Sequence, residues 1–220
     1  MEGSIDTLGS RLGELLASRR QNPGWEAAYQ EIVATLHRQG FMSGLLDVGQ
    51  RFPNFMLPSA EGRLVALAEE LRRGPVVLSF FRGSWCPFCQ MMLEALAEVM
   101  PRIEAAGASV LALTPETGGL ALKLKQRHGG RFEILADVDF GVGLLAGVVF
   151  KIPPLYRTRL EAAGFDFPQR HGNGGWCLPV PAVYVIGQDG VISWRFAEAD
   201  FALRPEPGEI IAALARMGVR

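Results

Sequence analysis

Two cysteines three residues apart, in the run Trp85-Cys86-Pro87-Phe88-Cys89, are the residues of this chain best suited to covalent chemistry. A Cys-x-x-Cys pair beside a strand–helix unit reads as a thiol–disulfide centre. The same pair can be half of a tetrahedral zinc site or two inert packed thiols. A zinc set would need Cys177 with His128 or His171, and a strand–turn–helix context does not suit a zinc knuckle. No metal and no non-protein cofactor is expected.

The neighbouring elements favour the redox reading. Pro75 to Phe81 is a near-continuous apolar run that reads as a central strand buried on both faces, and Gln90 to Glu104 carries Met92, Leu93, Leu96, Val99, Met100 and Ile103 at helical spacing. Cys86 then falls at or just before a helix N-terminus, where unpaired N–H groups favour a thiolate. Pro87 fits the first turn, where its missing N–H costs nothing. Cys89 lies one turn further on the same face and can attack a sulfur held on Cys86, so the spacing supplies an attacking and a resolving thiol. Trp85 reads as a shield over Cys86 or as a core aromatic, and Phe88 as an apolar rim.

Around this unit, residues 6–20 and 24–38 show helical stripes separated by Asn22-Pro23-Gly24, a helical hairpin whose apolar faces pack on the core domain or on a second subunit of a homodimer. Residues 52–57 read as an edge strand, and Leu64, Ala66 and Leu67 lead into a short helix ending near Gly74. Ala108–Thr114 and Phe132–Asp137 read as strands, with a helix starting at Thr114-Pro115-Glu116 between them. Gly141–Phe150 reads as a helix and 151–176 as a long irregular insertion. Ala182–Ile186 and Val191–Phe196 form a hairpin, and Pro207–Met217 a closing helix. This order predicts an α/β fold with a mixed central sheet flanked by helices. The expected organisation is an N-terminal helical extension over 1–46 and a main domain over 47–220.

Composition narrows the function classes. The 220 residues are 49% hydrophobic and 20% charged, as in an ordinary globular chain. A formal net charge of -1 leaves no footprint for nucleic acid or an anionic membrane surface. The doublets Arg19-Arg20 and Arg72-Arg73 and the run Lys123-Leu124-Lys125 read as solvated helix surface. Met1–Asp6 lacks the features of a signal peptide and no apolar run is long enough to span a bilayer, so a cytoplasmic location is expected.

Several motifs in order resemble the peroxiredoxin-like branch of the AhpC/TSA (alkyl hydroperoxide reductase/thiol-specific antioxidant) family. They are Gly49-x-x-Phe52-Pro53-x-Phe55-x-Leu57, the stretch from Gly74 through Cys89, Leu178-Pro179-Val180-Pro181 with the hairpin after it, and Asp200-Phe201-x-x-Arg204-x-Glu206-Pro207. The resemblance covers about residues 47–217. It implies a thioredoxin-like fold and reduction of hydrogen peroxide and organic hydroperoxides. Cys86 would be oxidised to a sulfenic acid, Cys89 would resolve it, and thioredoxin or a similar dithiol would reset the disulfide. Pro181 matches the position of the cis-proline that thioredoxin folds place beside the active cysteine.

Two family features are missing. The hydroxyl residue three before the peroxidatic cysteine is Gly83, and Ser84 is the candidate substitute. The family's late-strand arginine is replaced by Pro181, and Arg82 is the candidate cation, against its reading as a solvated loop residue. The thioredoxin pattern is also incomplete, since its buried aspartate six before the first cysteine is Phe80. The alternative function is therefore a general thiol–disulfide oxidoreductase without significant peroxidase activity. A redox-sensing interaction protein, switched through its hairpin, is a third. Cys177, four residues before Pro181, is a candidate alternative resolving thiol or a packed thiol at a loop edge. His171, in a Gly-rich loop, reads as a surface residue.

Overall fold

The computed structural model describes residues 7–117 and 119–218; the reading of Met1–Asp6 lies outside the described residues. The chain opens with helices α1 (Leu8–Arg20) and α2 (Pro23–Arg38). Thr7 caps the first through the Ser10 N–H, and Asn22 caps the second through the N–H groups of Gly24 and Trp25. A small antiparallel pair, β1 (Met56–Pro58) and β2 (Leu64–Ala66), leads into α3 (Leu67–Arg73). Strand β3 (Val76–Phe80) and helix α4 (Pro87–Ala105) flank the cysteine loop. Next come β4 (Ser109–Thr114), α5 (Leu120–Arg127), β5 (Glu133–Ala136), α6 (Gly141–Leu145) and β6 (Val149–Lys151). The chain continues through α7 (Pro154–Ala162), α8 (Phe167–His171), β7 (Cys177–Pro179), β8 (Ala182–Ile186), β9 (Ile192–Ala197) and α9 (Pro207–Met217).

Five strands form the central mixed sheet in the order β5-β4-β3-β8-β9. The β3–β4 and β4–β5 pairs are parallel, while β8 runs antiparallel to both β3 and β9. Because side chains alternate along a strand, β3 divides its residues between two cores. Val77 faces a core built with α4, α9 and the N-terminal helices, whereas Val76, Leu78 and Phe80 face one built with α3 and α6. The expected α/β, thioredoxin-like architecture is present, with its N-terminal helical hairpin.

That hairpin packs on its own chain. Leu8, Leu12, Ala28, Tyr29, Ile32 and Leu36 are buried in the same core as α4 and α9. Of the two expected packing modes the first holds, and the stripes are not free to form a dimer surface. Glu206 fixes the arrangement: its carboxylate accepts from the N–H groups of Leu8 (3.3 Å) and Gly9 (2.7 Å) while it caps α9 in a reciprocal box with Glu209.

Five local expectations are corrected. Residues 151–176 are not irregular: they carry α7 and α8. Pro153 and Pro154 occupy the cap and first turn of α7, and Tyr156 and Leu160, one turn apart, bury its inner face. The helix expected over 141–150 ends at Leu145, because Gly147 takes φ +76 and the β-branched run after it pairs as β6. The helix expected from Thr114 starts only at Leu120, since Glu116 turns into the interior instead. The strand expected over 52–57 is confined to Met56–Pro58, with Phe52 and Phe55 buried in the approach to it. Lys125 is not solvated: it is 8% exposed and paired with Glu61 (2.6 Å) and Glu133 (3.1 Å).

Candidate active site

The C-terminal end of β3 delivers Arg82 and the cysteine loop beneath the hairpin. Cys86 has extended backbone angles (φ −93, ψ 110) and is the N-cap of α4, with Pro87 in the first turn. Its thiol thus lies where the helix presents free N–H groups. Both thiols are free and fully buried. Arg82 is also buried, at 2% exposure, and its Nη2 lies 3.5 Å from Cys86 Sγ. The guanidinium lies over two aromatic rings, 3.9 Å from the Phe201 centroid and 4.9 Å from that of Trp85. The second sulfur has its own cation, Arg204, whose Nη2 is 3.4 Å from Cys89 Sγ, and it also accepts from the Arg82 backbone N–H at 3.5 Å.

This charge pattern separates the two thiols. Burial opposes a thiolate at Cys86, but a hydrogen bond from Cys89 and the charges of Arg82 and Arg204 outweigh it, so the Cys86 thiol is held well below its ordinary range. Burial and the proton shared with Cys86 push Cys89 well above its ordinary range, with Arg204 and Arg82 opposing only in part. The reduced pair therefore holds one thiolate, on Cys86, and one thiol, on Cys89. Arg82 stays protonated: burial disfavours its charge, but Cys86, Tyr156 and Cys89 more than compensate.

A pH dependence of stability follows. The unfolded thiols titrate near pH 8.5. Cys86, depressed on folding, contributes stability that is present above that value and lost as pH falls through its folded pKa. Cys89, raised on folding, contributes stability that is present below that value and lost as pH rises toward its own. Relative to the Cys86→Ser/Cys89→Ser double variant, the reduced protein should be most stable near pH 8.5. Urea midpoints of both proteins between about pH 5 and 10 measure this, and a constant difference would contradict the assigned ionisation.

The loop itself is pinned by a carboxylate that the sequence motifs do not reveal. Glu116 is fully buried; it accepts from the Ser84 N–H (2.6 Å) and hydroxyl (3.0 Å) and pairs with Arg170 at 2.9 Å. Ser84 Oγ is thus engaged with Glu116 rather than with the sulfurs. Gly83 has φ +134, and a Cβ there would stand 2.8 Å from both Glu116 Cδ and the Trp85 ring. Trp85 closes the turn by donating from Nε1 to the Arg82 carbonyl at 3.0 Å, and its ring packs on Phe165 and Phe167. Glu116→Ala should destabilise the protein by about 3 kcal/mol, because it strands Arg170 and the Ser84 N–H. Chemical denaturation checks this, and a loss below about 1 kcal/mol would mean that water replaces the carboxylate.

Other sequence candidates fall elsewhere. Pro181 precedes β8 and lines a small cavity with Cys89 and Arg204, and its peptide bond, like all those described, is trans. Cys177 lies on β7 opposite Lys151, half-buried, with its thiol pushed up by burial. His171 is fully buried rather than on the surface. It stacks on Phe167 and abuts Phe140, and burial and then Arg170 lower its pKa to about 4, so the ring is neutral. Among the described residues no three His, Cys, Asp or Glu side chains converge as a metal set, and no helix is long and apolar enough to cross a membrane.

Sequence reasoning missed Arg204 and Tyr156. Arg204 stood in a quoted motif without a role. Tyr156 lay in the segment read as irregular, where the helical pair Tyr156/Leu160 was the available signal.

A family model described as the AhpC/TSA family matches residues 48–195. Among curated relatives, the thiol-disulfide oxidoreductase ResA of Bacillus thuringiensis is 28% identical over 116 residues, 49% of this chain and 66% of that protein. A putative peroxiredoxin bcp of Coxiella burnetii is 29% identical over 94 residues, 43% of this chain and 62% of that protein. The chain therefore spans less than two thirds of the length of these relatives. The solved structure of peroxidoxin BcpB from Mycobacterium tuberculosis superposes with a TM-score of 0.61 at 18% identity, covering 80% of this chain and 99% of that one, which is a likeness of fold.

Proposed function

Because the chain belongs to the AhpC/TSA family, we propose that it is a thiol peroxidase that reduces hydrogen peroxide and organic hydroperoxides through Cys86 and Cys89. The observation that carries this reading is the buried Arg82 guanidinium 3.5 Å from Cys86 Sγ, with the proton retained on Cys89. The Cys86 thiolate attacks the terminal peroxide oxygen; an S–O bond forms, the O–O bond breaks, and the leaving oxygen departs as alcohol or water after taking a proton. The Cys89 thiol then displaces water from the sulfenic acid and closes the disulfide. Thioredoxin or a similar dithiol restores both thiols by exchange. Arg204 beside Cys89 steadies the negative charge that develops on that sulfur as it attacks. No non-protein cofactor is needed, and the reaction suits the reducing cytoplasm.

A second reading, general thiol–disulfide exchange without significant peroxidase activity, is favoured by the Trp-Cys-x-x-Cys run and by the likeness to ResA. Stopped-flow oxidation of the reduced protein by hydrogen peroxide and cumene hydroperoxide, beside turnover of insulin disulfides, separates the two. Oxidation far faster than that of a free thiol supports the peroxidase. Oxidation at the free-thiol rate with rapid insulin reduction supports exchange.

A further inference from the structure

Beside the cysteine loop lies a cleft that is partly open to solvent. Its walls are Leu16 and Trp25 from the N-terminal hairpin, with Phe88, Phe165 and Phe201. Arg82 and Tyr156 supply polar groups to the same cleft. Two features are unexplained by packing. Arg82 Nε and Nη1 are buried N–H donors without a hydrogen-bond partner, a costly state for a charged group. Arg82 Nη2 lies 3.5 Å from both Cys86 Sγ and Tyr156 Oη, so one nitrogen joins the sulfur to a buried phenol.

We propose that Tyr156 is a catalytic residue which, with the free donors of Arg82, holds the –OOH group for attack by Cys86, while the hairpin-walled cleft takes the apolar tail of an organic hydroperoxide. The inference rests on the peroxidase reading above. The nearer hydroxyl is unavailable, since Ser84 Oγ is bonded to Glu116, and Gly83 has no room for a side chain. The phenol suits the role because burial raises its pKa, against a smaller lowering by Arg82, and keeps its proton in place. As sulfur bonds to the terminal oxygen and the O–O bond breaks, the electron pair leaves on the alkoxy oxygen. Tyr156 gives that oxygen its proton, and water reprotonates the phenol. Sulfur is oxidised and the peroxide is reduced to an alcohol. Arg82 contacts the thiolate and the peroxide together, so its buried donors acquire acceptors only when substrate is bound.

Tyr156→Phe keeps the ring packed against Trp25 and Phe201. It should slow oxidation of Cys86 by cumene hydroperoxide and by hydrogen peroxide about a hundredfold. Alkylation of Cys86 by iodoacetamide, and the pH profile of that alkylation, should be unchanged, because the thiolate itself is intact. Leu16→Glu, in the cleft wall away from the sulfurs, should slow cumene hydroperoxide about tenfold and leave hydrogen peroxide unaffected. A wild-type protein oxidised rapidly and a Tyr156→Phe variant oxidised equally rapidly would overturn the role of Tyr156 alone. A loss matched by an equal loss of alkylation would reduce Tyr156 to a structural residue. Equal effects of Leu16→Glu on both peroxides, or none on either, would remove the tail subsite. A wild type no faster than a free thiol would overturn the peroxidase reading and this inference with it.

Discussion

Cys86→Ser should lower the second-order rate constant for hydroperoxide by a thousandfold or more, to about the level of an unassisted thiol or below. Serine at the helix cap keeps the fold but stays protonated at neutral pH, even beside Arg82. Cys89→Ser should behave differently. The serine hydroxyl donates in place of the thiol and both arginine charges remain, so the first oxidation should stay within about tenfold of the wild type and stop at a trappable sulfenic acid. Stopped-flow fluorescence of Trp85, which borders the loop, gives the rates, and dimedone labelling with mass spectrometry gives the product. The reverse pattern, fast oxidation in Cys86→Ser and none in Cys89→Ser, would exchange the roles of the two sulfurs.

Arg82→Met should slow the reaction as much as Tyr156→Phe, but through the thiolate as well as the peroxide. The variant removes the nearest positive charge, so burial dominates at Cys86 and its pKa should climb toward or above the 8.5 or so of a free thiol. The peroxide rate at pH 7 should fall about a hundredfold and recover only in part as pH is raised, since the donors that face the peroxide are gone as well. The fold should tolerate the change unusually well for a buried site. Two donors that now lack partners disappear, and methionine fills the space between Trp85 and Phe201 with favourable sulfur–aromatic contacts. The thermal midpoint of the reduced variant should thus stay at or above that of the wild type while activity is lost. Ultraviolet absorbance of the thiolate against pH tests the first part and calorimetry the second. A variant that loses midpoint and rate together would mean that the guanidinium holds the fold rather than the charge of Cys86.

Local patterns made much of this legible. The run at Val76–Phe80 stood out by its unbroken apolar character, since it is buried on both faces, and the stripes of the two N-terminal helices and the closing helix at Pro207–Met217 by their period, since each helix buries one face. The cysteine spacing similarly placed Cys86 at a helix cap. What stayed hidden was decided by long-range contacts. Glu116 looks like a first-turn helix acid until Arg170, 54 residues on, and Ser84, 32 residues back, draw it inward. Pro153-Pro154 looks like a break until α7 uses both residues at its start. Arg82 reads equally well as a loop cation, and only Phe201, far along the chain, encloses it. For Glu116 and Arg82 alike, a polar residue is buried because partners come from distant segments that no short window of sequence contains.

The carboxylate of Glu206 joins the first turn of α1 to the first turn of α9 across 198 positions. On a ribosome adding about 5–20 residues per second, Leu8 emerges some ten to forty seconds before that partner exists. The first helices therefore have no permanent dock while the cysteine loop is being made. Phe201, whose ring lies against the Arg82 guanidinium, arrives in the same late interval. Arg204, the cation beside Cys89, follows that sulfur by 115 positions, so Arg82 is the only one of the two arginines present when the cysteine loop is made.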